Sequence, residues 1–282
     1  MAIIERFATK CPCWSTNLYQ QGLSPNDPKA DSRYQQYYKL FKAGKIKLML
    51  HSLGCARADA DYQSDRWNNE SNTGGICHAV IDSNDGNARQ NLRWDMRSWH
   101  CGGSGNNTHI GVEMCESDYI KYLGGAKFEV LNESKAKKHC KTAYKGAVEL
   151  FAELCNMFGC DPLTDICSHK EGGKAGIASG HIDPEHYWTG LGMSYTMDGF
   201  RADVKAKLDA IKAAENQPQP LPFTDVPEGA YYEKAVRWAY ENKICAGTSE
   251  TTFSPKEKVT RADDMVYHYR TAMWLLEKLG KN

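Results

Sequence analysis

SHKEGGKAGIASGHIDPEHYW, residues Ser168–Trp188, sets two imidazoles (His169 and His181) and the carboxylate of Asp183 around a glycine-rich loop. Far upstream, His51 ends an apolar run. One distant histidine and a His/Asp pair on a later loop suit a mononuclear zinc site, because catalytic zinc typically has three protein ligands and one open position. The pattern therefore predicts a metal-dependent hydrolase.

Strand and helix patterns alternate around this stretch. Apolar runs predict strands over 46–51, 75–82 and 108–115, and the turn at 83–86 is typical of a hairpin. Strands mixed with flanking helices predict an α/β domain. Three- and four-residue spacing of apolar residues predicts helices over 34–42, 133–158 and 197–214, and a short strand is predicted at 166–167.

Composition excludes several classes of function. The 282 residues allow one large domain or two unequal ones, and 35 basic residues against 35 acidic ones leave no basic footprint for nucleic acid. No apolar run approaches the roughly 18 residues of a membrane helix. The N-terminus has no secretory signal, so we expect synthesis in the cytoplasm. The 11 cysteines are scattered and odd in number, which favours mostly reduced, buried thiols.

The composition changes near residue 215. Residues 215–222, ENQPQPLP, carry three prolines and predict a semi-rigid linker between a domain over 1–214 and a small module over 223–282. The module contains predicted helices at 232–242 and 260–279, the second with Thr260 as its N-cap.

Zinc hydrolysis of an amide needs a proton carrier and a group that faces the oxyanion. Glu113 is the candidate base, since a solvated charge is unexpected in the apolar strand IGVEMC, and His181 is the candidate donor. With nine histidines in the chain, spacing alone leaves other ligand sets open. The rival ligands are His78, His100, His109 and His186.

Three blocks carry a resemblance to a known family: MLHSLGC (49–55), WHCGGSGNNTHIGVEMCE (99–116) and the stretch quoted first. They resemble the zinc-dependent N-acetylmuramoyl-L-alanine amidases of type 2, in the variety found in prophage lysins of Gram-positive, clostridia-like bacteria. The resemblance covers residues 1 to about 205. It implies a mixed central β-sheet flanked by helices, like that of peptidoglycan recognition proteins, with zinc in a surface groove. The implied reaction is hydrolysis of the amide between the lactyl group of N-acetylmuramic acid and L-alanine of the stem peptide.

The resemblance also assigns roles by position. It implies Zn²⁺ on His51, His169 and Asp183, with Glu113 as general base. His181 falls where related enzymes carry an oxyanion-stabilising Lys. A Tyr that many relatives carry before His78 is replaced by Cys77 here, so its role is absent or filled elsewhere. The resemblance implies that four residues contact the peptide: Trp99, His100, Asn106 and Asn107. An equally good interpretation is that these residues order their own loop.

The small module resembles a single S-layer homology (SLH) repeat. The matching pieces are FTDV (223–226), AVRWAYENKICAG (235–247), TFSP (252–255) and VTRADD (259–264). In that family the turn here formed by Thr260 and Arg261 helps bind anionic secondary cell-wall polymer. Because such modules normally act in threes, a lone copy implies weak wall binding, a homo-oligomer of three chains, or a mere packing domain.

Two functions compete with a wall-cutting endolysin that acts at the bacterial cell wall after release from the cytoplasm. One is a non-catalytic peptidoglycan-recognition protein with the same fold. The other is an S-layer-associated wall protein in which the SLH unit dominates. The complete ligand set and Glu113 disfavour the first, and the missing signal disfavours the second.

Overall fold

The computed structural model describes residues 1–11, 32–72, 74–215 and 220–279, and the chain divides into two compact units, Met1–Glu215 and Asn216–Asn282. The strands are β1 (Ile3–Glu5), β2 (Lys47–Ser52), β3 (Ala79–Ile81), β4 (Ala88–Gln90), β5 (His109–Met114), β6 (Ile120–Gly124), β7 (Lys127–Val130) and β8 (Ile166–Ser168). The helices are α1 (Ser32–Lys42), α2 (Ala60–Trp67), α3 (Glu133–Phe158), α4 (His169–Lys174), α5 (Glu185–Gly190), α6 (Met197–Glu215), α7 (Glu233–Glu241) and α8 (Arg261–Lys278), with a 3₁₀ turn at Ser104–Asn107.

Six strands form a mixed sheet in the order β1-β4-β3-β5-β2-β8. Among the described strands of this sheet, β3 and β4 are antiparallel and the other neighbours are parallel, and the predicted hairpin turn joins β3 to β4. The strands β5, β2 and β8 are neighbours and run parallel. The α/β fold with a mixed central sheet is therefore confirmed.

The central strands are buried, which explains their apolar sequences. Five of the six residues of β2 are buried, as are five of the six in β5. Parallel strands covered on both faces give such continuous apolar runs rather than alternation.

Helix α3 provides much of the main core, and its bounds are those predicted from spacing. The Asn132 side chain accepts the backbone N–H of Lys135 at its start, and Gly159 ends it with a φ of 71°. Leu150 and Phe151 of α3 are fully buried, and Phe151 packs edge-on against Phe200 of α6. These contacts hold α3 and α6 together.

Some elements differ from the prediction. The strand predicted over 75–82 is regular only over Ala79–Ile81, because Ile76 makes an isolated bridge to Trp99 instead. The hairpin β6–β7, in which Gly124 ends β6 and Gly125 opens the turn, was not predicted. Glycine pairs between alternating strands are a hairpin signal that this stretch does carry.

The C-terminal unit has a small core of its own, built from Phe223, Val226 and Val236. The carboxylate of Asp225 accepts the backbone N–H groups of Phe253 and Ser254 at 2.8 and 2.7 Å, closing the unit's loop. Residues 216–219 of the predicted linker lie outside the described residues, and Glu215 ends α6.

Two further properties concern the described part of the chain. None of its helices combines the length and apolarity that a membrane crossing needs. The sequence predicted mostly reduced thiols, and free thiols are found at Cys55, Cys77, Cys101, Cys115, Cys140, Cys155, Cys160, Cys167 and Cys245.

Candidate metal centre and cleft

Three parallel strands bring the predicted site together at one edge of the sheet. His51 and Glu113 are register partners near the carboxyl ends of β2 and β5. Leu50 pairs with Ser168, so His169 follows directly beyond the end of β8. The carboxyl edge of parallel strands is where α/β sheets bind ligands. Glu113, His51 and His169 therefore lie side by side across adjacent strands.

The three predicted ligands converge. Nδ1 of His51 lies 3.0 Å from Nδ1 of His169. Oδ2 of Asp183 lies 3.3 Å from the first nitrogen, and Oδ1 lies 3.5 Å from the second. Ligands about 2.0–2.1 Å from a tetrahedral cation are about 3.3 Å apart, so one zinc ion fits among these atoms. Within the described residues, this triad is the group of His, Cys, Asp or Glu side chains that meets the spacing of a metal site.

The outer ring nitrogens of both histidines have fixed partners. Nε2 of His51 lies 2.8 Å from Nδ1 of His100, and Nε2 of His169 lies 2.9 Å from Oγ of Ser179. Such outer contacts orient metal-binding imidazoles and select their tautomer. If Nδ1 of His51 held a metal, its Nε2–H would donate to Nδ1 of His100, which would then carry its own proton on Nε2.

A glycine makes room for His100. A Cβ on Gly111 of β5 would lie 2.4 Å from Cγ and Nδ1 of the His100 ring. The ring therefore packs directly on the strand backbone, and this packing holds it against His51.

The electrostatics of the triad favour a cation. Burial alone would raise the pKa of Asp183, but hydrogen bonds from His169 and His51 outweigh burial and lower it strongly. Burial lowers the pKa of His51, against the opposing effect of Asp183. An ionised carboxylate beside a neutral imidazole is the protonation state that zinc requires.

Glu113 stands beside this triad as a poorly solvated carboxyl group. Burial, and then the negative charge of Asp183, raise its pKa well above the usual value. Its Oε2 is buried without a hydrogen-bond partner among the described residues, and Oε1 lies 3.5 Å from Sγ of Cys77. A carboxylate in this environment has a strong tendency to take up a proton.

Glu113 and His100 separate two cavities. One, of about 630 Å³, is also lined by His169, His181 and Asp183. The other, of about 400 Å³, is also lined by Trp99. His181 is exposed, with its ring centre 4.8 Å from that of His169. The predicted base and oxyanion donor thus face one open cleft together with two of the ligands.

The residues predicted to contact the peptide separate into two groups. Trp99 is 37% exposed and, like His100, lines the cleft. Asn106 is fully buried, and its Oδ1 accepts the backbone N–H groups of His100 and Cys101. Asn107 accepts a hydrogen bond from Nε of Arg97 at 2.6 Å. Both asparagines order the loop that carries His100 and line neither cavity.

The rival histidines have other partners. Nδ1 of His78 accepts the N–H of Gly111, and its Nε2 lies 2.7 Å from the carbonyl oxygen of Met96. Burial lowers the pKa of His78 and of His109 to about 4. His109 pairs with Lys47 at the far end of β5 from Glu113. Neither histidine belongs to the triad.

A buried cluster beside the cleft was missed by the sequence interpretation. Glu116 is fully buried and accepts hydrogen bonds from Oγ of Ser52 at 2.7 Å and from the Tyr122 hydroxyl at 2.5 Å. The same hydroxyl lies 2.7 Å from Nε2 of His186, which lines the larger cavity. Burial raises the pKa of Glu116 to about 7. The cluster fastens β6 to the cleft wall, and its one sequence signal is a second acidic residue just after β5.

In the C-terminal unit, Thr260 caps α8 as predicted and accepts the backbone N–H of Asp263 at 3.1 Å. Its hydroxyl also donates to the Asp263 carboxylate at 2.6 Å. Arg261 follows as the first, exposed residue of the helix.

Comparisons with known proteins assign two segments of the chain to families. Residues 46–186, half of the chain, match the family described as N-acetylmuramoyl-L-alanine amidase, and residues 222–263 match the S-layer homology domain. The chain belongs to this amidase family and carries an SLH domain in its C-terminal unit. A search of curated proteins found no match.

Solved structures give more distant likenesses. The catalytic domain of XlyA is 19% identical over 72% of this chain and 99% of that one, with a TM-score of 0.44. Staphylococcus aureus hydrolase AmiA in complex with its ligand is 18% identical over 63% and 80%, with a TM-score of 0.47. The PlyG catalytic domain is 19% identical over 74% and 96%, with a TM-score of 0.43.

Proposed function

We propose that this protein is a zinc-dependent peptidoglycan amidase that cleaves the bond between the lactyl group of N-acetylmuramic acid and L-alanine of the stem peptide. The observation that carries the proposal is the convergence of His51, His169 and Asp183 beside Glu113 in an open cleft. A binding-only protein of the same fold has no need for this complete set.

The side chains divide the work of amide hydrolysis. A zinc ion on the triad would lower the pKa of a bound water and polarise the substrate carbonyl. Glu113 takes a proton from the attacking water and passes it to the leaving amine, a role that suits its raised pKa. His181, exposed in the same cleft, donates a hydrogen bond to the developing oxyanion.

The test separates metal binding from turnover. We expect Asp183→Ala to lose zinc and lysis together, because it removes the one anionic ligand. We expect Glu113→Gln to keep stoichiometric zinc and lose at least about 100-fold in turnover. Metal analysis and release of L-alanine amino groups from purified walls, without new reducing ends, measure the two effects.

Two controls sharpen this test. Chelation of the wild type must abolish release of amino groups, and added Zn²⁺ must restore it. Near-normal turnover by zinc-loaded Glu113→Gln would refute the role of Glu113, and binding of walls without cleavage would favour a recognition protein.

We also propose that the SLH-like module of residues 223–282 binds anionic secondary cell-wall polymer through Thr260 and Arg261. Support comes from the start of α8, where the exposed guanidinium of Arg261 suits an anion. The nearby carboxylates of Asp263 and Asp264 oppose it, which predicts weak, salt-sensitive binding by one copy. Sedimentation with walls before and after removal of the polymer, with Arg261→Ala as the variant, tests the assignment.

Self-association would strengthen such weak binding. Met265, Tyr269 and Met273 follow one another at four-residue steps on α8 and are 64%, 66% and 43% exposed. We propose that this stripe joins copies of the chain. Analytical ultracentrifugation of wild type and Tyr269→Glu checks it, and a monomer at high concentration in both would refute it.

The endolysin role is supported by the resemblance of the three motif blocks. It predicts that cells expressing the protein in their cytoplasm lyse only when a membrane pore is also induced. If cells that express Glu113→Gln lysed as readily as cells that express the wild type, the endolysin role would be contradicted.

A further inference from the structure

The smaller cavity of the cleft contains a positive charge that the proposed mechanism does not use. Arg57 and Arg66 both line this space of about 400 Å³, and Glu113 is its one carboxylate among the described residues that line it. The two cavities share Leu53, His100 and Glu113, so the cationic space adjoins the reacting groups directly.

Neither guanidinium has an ion-pair partner in the described part of the chain. The acidic residues of α2 serve other arginines, since Asp65 pairs with Arg6 at 2.7 Å and Asp61 with Arg89 at 2.8 Å. Because both of these carboxylates pair with other arginines, the guanidinium of Arg66 on the same helix remains available to a ligand.

Arg57 is held in place without being neutralised. Its guanidinium carbon lies 4.1 Å from the centre of the Tyr62 ring, and its Nε is buried and has no hydrogen-bond partner among the residues that the structure describes. A buried N–H without a partner is costly, so a ligand that accepts a hydrogen bond there is favoured. Trp67 and Trp99 provide apolar walls beside the two charges.

The substrate has its charges on one side of the scissile bond. The lactyl carboxyl group is consumed in the amide, so the glycan side presents hydroxyl and acetamido groups. The stem peptide carries free carboxylates on residues beyond L-alanine. Arginine recognises carboxylates by paired, charge-assisted hydrogen bonds.

We propose that Arg57 and Arg66 form a subsite for a stem-peptide carboxylate and thereby make the enzyme select acidic over amidated or carboxyl-free peptides. This inference rests on the proposed amidase function and places the peptide in the smaller cavity. The carboxylate belongs to the second residue or to the third.

Two pairs of soluble muramyl tripeptides with amidated C-termini test the proposal with the full-length, zinc-loaded protein. One pair has D-glutamate or D-isoglutamine at the second position, and the other has diaminopimelate or L-lysine at the third. We expect about a tenfold or greater preference in kcat/KM for the acidic member of one pair, expressed mainly in KM. The pair that discriminates identifies the residue bound.

The exposed Arg66 is the residue to vary, because its replacement leaves the core intact. Arg66→Met should bring the preference close to unity, and Arg66→Glu should reverse it. Arg6→Met removes the same charge from a guanidinium that pairs with Asp65 outside the cavity, and should leave the preference unchanged.

The outcomes are distinguishable. Cleavage of all four substrates at equal rates, or an unchanged preference in Arg66→Glu, overturns the subsite while leaving the amidase function standing. If the wild type cleaves no substrate, the proposed function fails, and calorimetric binding of the same peptides still tests the subsite.

Discussion

Replacing Gly111 by alanine tests the link between sheet packing and the metal centre. The added Cβ would lie 2.4 Å from the His100 ring, about 1 Å inside normal contact. The ring cannot simply retreat, because the backbone N–H groups of His100 and Cys101 are held by Asn106 at 2.8 and 2.9 Å. We expect overpacking to cost about 1–3 kcal/mol of unfolding free energy.

The same shift should weaken zinc binding. A 1 Å displacement of His100 breaks its 2.8 Å contact with Nε2 of His51, which orients that ligand. Loss of an outer partner typically lowers metal affinity by about 10- to 100-fold. Urea unfolding of the chelated protein measures the loss of unfolding free energy, and competition with a chelating dye measures the zinc dissociation constant.

A double-mutant cycle identifies the cause. In a His100→Ala background the ring is absent, so Gly111→Ala should be neutral or slightly stabilising, as expected for removing a strand glycine. Gly199→Ala on α6 is the matched control and should leave zinc affinity unchanged. An equal loss of stability with and without the His100 ring would refute the reasoning.

Three further predictions concern other parts of the chain. Ser168→Ala removes the capping contact with the Glu171 N–H at 3.0 Å, and should cost about 1 kcal/mol in urea unfolding; an unchanged midpoint would contradict it. The pKa of Glu116 is raised to about 7 from 4.5, so its stabilising contribution is present below pH 4.5 and lost as the pH rises through 7. The stability of chelated wild type relative to Glu116→Gln should therefore fall by up to about 3 kcal/mol between pH 4.5 and 8, and parallel pH profiles would exclude this. Val236→Ala should destabilise the C-terminal core by about 1–3 kcal/mol, because it removes buried apolar volume. Faster hydrogen exchange of the backbone amides in α7 would show this loss, and an unchanged exchange rate would contradict it.

The long helices were predictable because their signal is local. The spacing of apolar residues over 133–158 lies within one element, and the structure gives the same bounds. The strands β1 and β4 have three residues each, too few for a period to be recognised. Their pairing depends on neighbours distant in sequence, such as Ile3 with Ala88.

The candidate ligands could be predicted only in part from the sequence. Residue types and motif resemblance indicated His51, His169 and Asp183, but nine histidines left other sets open. The parallel register of β5, β2 and β8 brings the indicated ones together. The ring nitrogens of His78 instead contact backbone groups of the protein itself, so His78 is not a ligand candidate.

The sequence by itself determined the long helices, the residue types of a zinc hydrolase and the change of composition near residue 215. Only the tertiary structure decided that Gly111 makes room for His100, that Glu116 is buried, and that Arg57 and Arg66 share a cavity. The physical reason is the range of the interactions. Helix periodicity and capping act within a few residues, whereas strand register and side-chain packing depend on contacts between segments tens of residues apart.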